Sequence, residues 1–188
     1  MCGAGGFFDK APYRRFMEFI APGADRFGLL RSILDENGLA HEVLALGDKR
    51  HILLSGGPAG GRSIYTAHYD RTAGSPGAND NGAAVFLLME TALRPGTGPA
   101  LFIFTDGEEL SGDESLRDQG SYNLGLYLRQ KGLGEAPVFT FDACGTGDTL
   151  IISTAADELL KNENAPGAEA ARRRVQALRD NALEAARR

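Results

Sequence analysis

The chain has 188 residues, 43% of them apolar and 24% charged, with a net charge of −5. This is enough for one domain with its own core, and the acidic balance gives no support for a nucleic-acid or anionic-membrane partner. No apolar run reaches the ~20 residues that span a bilayer, and Met1 to Phe8 lacks the basic start and apolar stretch of a signal peptide. Cys2 and Cys144 make no disulfide framework, so the default expectation is a cytoplasmic protein.

Pro12 to Ile20, with Tyr13, Phe16, Met17, Phe19 and Ile20, reads as an amphipathic helix with proline in its first turn. Asp25 is a cap for a second helix through Phe27, Leu30, Ile33 and Leu34, stopped by Asn37-Gly38. Both serve to cover one face of a sheet. His41 to Leu46 and His51 to Ser55 form a hairpin about Gly47-Asp48-Lys49, expected at a sheet edge. The glycine-rich Gly56 to Gly61 invites a phosphate-loop reading, but no Gly-Lys-Ser/Thr follows and the next element is a strand, so it is a flexible turn.

Ser63 to Ala67 is strand-like and delivers His68 and Asp70 at its C-terminal end; Gly77-Ala78-Asn79-Asp80-Asn81-Gly82 then presents Asp80 before a helix from Ala83 to Leu93. That helix is apolar nearly all round, which predicts burial. Ala100 to Thr105 is a continuous apolar run, as in a strand covered on both faces, and it leads into Asp106-Gly107-Glu108-Glu109. A polar loop from Leu110 to Gly120 precedes a helix from Ser121 to Lys131. Val138 to Phe141 is expected to be another buried strand with Asp142 at its end, and Leu150 to Ile152 one more after the Gly145-Thr146-Gly147 turn. Pro166 to Arg188 is helical by composition and carries three more positive than negative residues, a solvated face rather than a binding patch. Strands alternating with helices imply an α/β fold: three αβα layers about a mixed, centrally parallel sheet, with residues 1–188 as a single domain.

In such sheets the ligand crevice lies outside the carboxyl ends of the strands. Three strand ends there carry His68/Asp70, Glu108/Glu109 and Asp142, and the loop before the intervening helix adds Asp80. Like charges held together in a cleft repel, and a divalent cation is the usual compensation. Imidazole with carboxylates is a zinc-competent donor set. His68 and Asp142 would hold one zinc, with Asp80 bridging to a second about 3.5–4 Å away on Glu109. Glu108 would stay unligated as general base for a metal-bound water, and Asp70 would accept the other ring N–H of His68.

His68-Tyr69-Asp70, Gly77-Ala78-Asn79-Asp80-Asn81, Phe104-Thr105-Asp106-Gly107-Glu108-Glu109 and Phe141-Asp142 resemble, in order, the motifs of the co-catalytic zinc aminopeptidases, which include bacterial leucyl aminopeptidase-like enzymes and glutaminyl cyclases. The resemblance runs from about residue 13 to 160. It implies the same roles for these residues, a cis peptide after Asp80, zinc as cofactor and a peptide or aminoacyl-amide substrate cleaved at its N-terminus.

Gly82-Ala83-Ala84 stands where the family has a small residue, Ser and Gly, which is tolerable. The larger departure is that no histidine follows His68, whereas the family's second zinc takes one from a late strand. A truncated chain lacking the late strands, a natural short form with one zinc on His68, Asp80 and Asp142, or completion by another chain would each account for this; the first two rank above the third. His41 and His51 are expected to be ordinary strand or turn residues. A sheet edge left open would favour a homodimer. The alternative to a metallo-aminopeptidase is a non-catalytic binding or structural module with an impaired metal site; retention of Glu108 and Asp70, which are not primary ligands, favours chemistry. Met1-Cys2-Gly3 suggests an N-terminal nucleophile amidotransferase, but no second signature of that fold follows. Cys144 is read as a small packing residue.

Overall fold

A computed structural model describes residues 11–56, 63–94, 99–145 and 167–187. The chain divides into two compact units, Met1–Thr146 and Gly147–Arg188. In the first, helices α1 (Ala11–Ile20) and α2 (Arg26–Glu36) precede strands β1 (His41–Leu46), β2 (Lys49–Gly56) and β3 (Ser63–His68). A wide turn, Ala78–Ala83, opens α3 (Ala84–Leu93); β4 (Ala100–Thr105), α4 (Gly120–Gln130) and β5 (Val138–Thr140) follow. The described part of the second unit is one helix, α5 (Ala168–Ala186), whose Glu169 and Arg173 pair one turn apart on its surface. The expected strand at Leu150 to Ile152 lies outside the described residues, as does Cys2.

The local signals act where the sequence places them. Asp25 caps α2 by accepting from the Gly28 amide at 3.0 Å, and Asn37 with a left-handed Gly38 closes it. Gly47 is also left-handed, as a two-residue hairpin loop between Leu46 and Lys49 requires.

The sheet is ordered β1-β2-β4-β3-β5, antiparallel across β1/β2 and β2/β4 and parallel across β4/β3 and β3/β5. This is the mixed sheet with a parallel half that the sequence predicts. Successive residues of a strand face opposite sides, so all six residues of β4 are buried between two helical layers. Phe102 and Phe104 join Ile52, Leu54 and Ala67 against α1, α2 and α3. Leu101 and Ile103 join Ile64 against Leu124 and Leu128 of α4. Phe86 of α3 meets Phe16 and Phe19 of α1 edge to face at 5.2 and 5.5 Å. The same alternation puts Thr66 and His68 on the α4 side of the sheet and Ala67 and Tyr69 on the other.

Two expectations need correction. The strand at Val138 to Phe141 is not buried: β5 ends at Thr140 and is the last strand of the described sheet, with one neighbour, so Val138 is 51% exposed. The hairpin lies at an edge of the described sheet, as expected, with β1 outermost and β2 hydrogen-bonded on both sides. His51 is consequently no ordinary strand residue. It is fully buried, its Nδ1 accepts from the Asp106 amide at 3.3 Å, and its Nε2 has no hydrogen-bond partner among the described residues.

Burial lowers the His51 pKa from its ordinary 6.5, against the opposing charges of Asp106 and Asp70. The folded state therefore resists a proton that the unfolded chain accepts, and stability present above the unfolded pKa is lost as pH falls through it. His51→Leu should flatten the fall in unfolding free energy between about pH 7 and pH 5 relative to the parent. Parallel profiles from urea titrations would show that His51 does not titrate in this window.

Candidate metal centre

The C-terminal ends of β3 and β5 and the turn before α3 meet at one rim. His68 is the last residue of β3 and is buried; its Nε2 lies 3.0 Å from Asp80 Oδ1 and 3.7 Å from Asp142 Oδ1. One donor atom from each of the three falls within 4.8 Å of the others. Bonds of about 2.0–2.2 Å put neighbouring ligands of a tetrahedral zinc about 3.3–3.5 Å apart. Small adjustments of Asp80 and Asp142, whose side chains are 59% and 60% exposed, reach that spacing. One imidazole and two carboxylates are an ordinary zinc donor set, so these residues fit the ion in number, chemistry and separation.

Behind His68 sits Asp70, on the same side of the chain by strand alternation. Its Oδ1 is 3.5 Å from His68 Nδ1, and both atoms are buried without a closer partner among the described residues. Its Oδ2 accepts from the Glu109 amide at 2.9 Å. Asp70 thus orients the imidazole and ties it to the Glu108-Glu109 loop. Burial pulls the His68 pKa down, but the facing carboxylate of Asp70, helped by Asp142 and Asp80, pushes it up to about 9. The surrounding carboxylates therefore favour a cation on this spot, whether a proton or a metal.

Glu108 is placed by the start of α4. Its carboxylate accepts from the Ser121 amide at 2.8 Å and the Ser121 hydroxyl at 2.9 Å, and its backbone carbonyl accepts from Gln119. An anion at a helix N-terminus is favoured by the free amides there. Burial nevertheless prevails over the Ser121 bonds and raises the Glu108 pKa. The helix can approach this closely because residue 120 is glycine: a Cβ there would lie 1.8 Å from the Asp106 carbonyl oxygen and 2.9 Å from His51 Cε1.

Glu109 is positioned differently from the other carboxylates. Its Oε2 accepts from the Thr72 hydroxyl at 2.7 Å, and it is not one of the three converging residues. His68, Asp80, Glu108, Glu109 and Asp142 all line one cleft of about 340 Å³, whose other wall is Leu124, Gly125, Leu128 and Val138. His41 is remote from it, with its ring beside Leu39 and Asp35.

The sequence motif names Gly77, Asn79 and Asn81 without their contacts, and it does not include Arg26, which also sets this geometry. Arg26 is 5% exposed and donates to five backbone carbonyls: Phe19, Tyr69, Asp70, Pro76 and Gly77, at 2.6–3.1 Å. Its signal was its place on the apolar stripe of α2, in helical register with Leu30 and Ile33. Gly77 is left-handed, and a Cβ on it would come within 2.8 Å of Arg26, Arg71 and the Asp80 carbonyl. The Asp80-Asn81 peptide is cis, as the motif implies. Asn79 and Asn81, on either side of Asp80, both bond to the segment that carries Asp142.

Comparison with known proteins places this geometry in a wider set. The sequence profile of peptidase family M28 matches residues 54–184. A Schizosaccharomyces pombe protein named as an endoplasmic reticulum metallopeptidase is 32% identical over 108 residues, 52% of this chain and 12% of its own length. A glutaminyl cyclase from an Acidobacteriales bacterium superposes with a TM-score of 0.62 at 21% identity, over 83% of this chain and 66% of that one. A Zn-dependent exopeptidase from Parabacteroides distasonis gives 0.53 at 15% identity, over 85% and 71%. The two structural likenesses show the shared αβα fold. No described helix is long and apolar enough to cross a membrane.

Arg26→Met would leave those five carbonyls without their donor in a buried place, where a lost partner costs ~1–3 kcal/mol. The expected result is a loss of at least about 3 kcal/mol in unfolding free energy, with Arg26→Lys recovering only part of it. A denaturant midpoint unmoved by Arg26→Met would show that the carbonyls are satisfied without it.

Proposed function

The chain belongs to peptidase family M28, and from that premise we propose that it is a zinc-dependent hydrolase of peptide or amide bonds at the N-terminus of its substrate. The observation that carries the reading is the convergence of His68, Asp80 and Asp142 at the mouth of a cleft with Glu108 in its wall. These three residues would hold the ion. Zinc bound there lowers the pKa of a coordinated water toward neutrality and polarises a carbonyl.

The remaining work falls to this chain's own groups. Glu108 takes a proton from the water that attacks the scissile carbonyl and returns it to the leaving amine. Ser121, donating from both its amide and hydroxyl, holds that carboxylate in one orientation. The raised Glu108 pKa makes it a stronger base than an exposed carboxylate, nearer the match to neutral pH that general-base catalysis favours. Asp70 keeps His68 turned with Nε2 toward Asp80 and Asp142. The acidic rim suits a substrate bearing a free α-ammonium group, which supports the aminopeptidase reading.

A single ion is favoured over a pair, because Glu109 is committed to Thr72 rather than to the converging trio. Elemental analysis of the purified protein is expected to give one zinc per chain. Glu108→Gln should retain that zinc and lower hydrolysis of a chromogenic aminoacyl amide about 100- to 10,000-fold, the usual worth of a general base. His68→Ala and Asp142→Ala should lose the zinc itself. Full turnover by Glu108→Gln would remove it as the base, and a parent protein with neither metal nor turnover would make the chain a non-catalytic relative.

A further inference from the structure

Asp80 and Asp142 come from different loops, are largely exposed, and repel one another. Something must set their separation before a cation arrives. The side chains that bridge the two loops belong to the asparagines flanking Asp80. Asn81 is fully buried, and its Nδ2 donates to the Phe141 carbonyl at 2.9 Å, on the residue before Asp142. Asn79 Oδ1 accepts from the Gly145 amide at 2.7 Å, three residues after it. The Asp142 segment is therefore held at both ends by the neighbours of Asp80.

The segment between these anchors is bent. Ala143 has a φ of +50°, a left-handed conformation that a residue with a side chain rarely adopts. The turn it makes brings Gly145 so close to the Asp80 loop that a Cβ there would lie 2.7 Å from Asn79 Oδ1 and 3.0 Å from Ala83 Cβ. A disfavoured backbone persists only when its surroundings fix it, and the two asparagine bonds are the side-chain hydrogen bonds between these loops among the described residues. The Cys144 thiol adds a contact to the Asp142 carbonyl at 3.4 Å, within the same turn.

We propose that Asn79 and Asn81 are positioning residues that preset the Asp80–Asp142 separation for a divalent cation. The inference rests on the zinc reading of the trio and adds what holds the trio open against its own repulsion. It assigns the two asparagines to the outer ring of the site, where loss of a partner typically lowers metal affinity 10- to 100-fold.

Asn79 is exposed, so Asn79→Ala keeps the fold testable even if Asn81→Ala does not. Zinc affinity would be measured by competition with a chromogenic chelator, and the coordination geometry by the visible absorption of the cobalt-substituted protein. The urea midpoint of the zinc-free protein serves as the stability readout. The expected result is a loss of about 10- to 100-fold in zinc affinity and an altered cobalt band for Asn79→Ala, with its metal-free urea midpoint unchanged. Parent-like affinity and spectrum in Asn79→Ala would overturn the inference and leave the zinc reading standing. An affinity loss matched by an equal loss of metal-free stability would also overturn it, since a structural role alone then suffices. A parent protein that binds no zinc would overturn the zinc reading, and this inference with it.

Discussion

One buried guanidinium gathers the backbone of the rim that carries His68 and Asp80. Arg26 lies at the start of α2, and its three nitrogens reach carbonyls of α1, of the end of β3 and of the loop before Asp80. Its pKa falls to about 10, through burial first and Arg71 second, so it stays charged at neutral pH. Among the described residues no carboxylate forms an ion pair with it. Its charge is met by carbonyl dipoles and by the Phe19 ring, 4.5 Å from the guanidinium carbon. A cation solvated by backbone dictates where that backbone goes, because each carbonyl must sit within reach of one rigid fork. That is why the His68–Asp70 strand end and the Pro76-Gly77 loop keep a fixed relation although they are separated in sequence.

The second constraint is steric. Gly120 lets α4 begin directly against the Asp106–Glu108 loop, and the amide of Ser121 then points at the Glu108 carboxylate. Gly77 does the same for the Asp80 turn against Arg26 and Arg71. In both places a backbone approach that no side chain would permit puts a carboxylate at the rim. Beneath them lies His51, whose Nδ1 accepts from the Asp106 amide and so fixes the first residue of the Asp106–Glu109 loop. The floor, the helix start and the loop are thus joined by contacts to backbone, which do not depend on the rotamers of long side chains.

The parts of this arrangement legible in the sequence were those written in local pattern. The apolar run of β4, the cap at Asp25, the glycine closing the hairpin and the acidic strand ends each announce themselves within a few residues. The motif order also identified His68, Asp80 and Asp142, which the fold brings together, and Asp80-Asn81 as a cis peptide. What stayed hidden depends on partners far along the chain. The place of Arg26 on the apolar stripe of α2 hints at burial, but its 43- to 51-residue reach to Tyr69 and Gly77 is written in no local pattern. Asn79 and Asn81 look like turn formers until their partners, 60 or more residues away, appear. Val138 to Phe141 reads as buried from its apolar content, yet exposure is decided by which strand lies beside it, a property of topology rather than of the segment.

The site is built from a rigid inner part and a charged outer part, and the electrostatics explain the division. His68 is buried and faces the half-buried Asp70 in fixed orientation, so the imidazole does not have to be ordered when a ligand binds. Asp80 and Asp142 remain solvated, which limits their mutual repulsion because the effective dielectric near water is high. Their place at the surface surrenders the packing that would otherwise hold them. Backbone-directed bonds from the asparagines on either side of Asp80 supply that restraint without burying either charge. Glu109, satisfied by Thr72 and by its own amide bond to Asp70, stands apart from this balance, and so the acidic rim concentrates its field on one spot, over His68 Nε2.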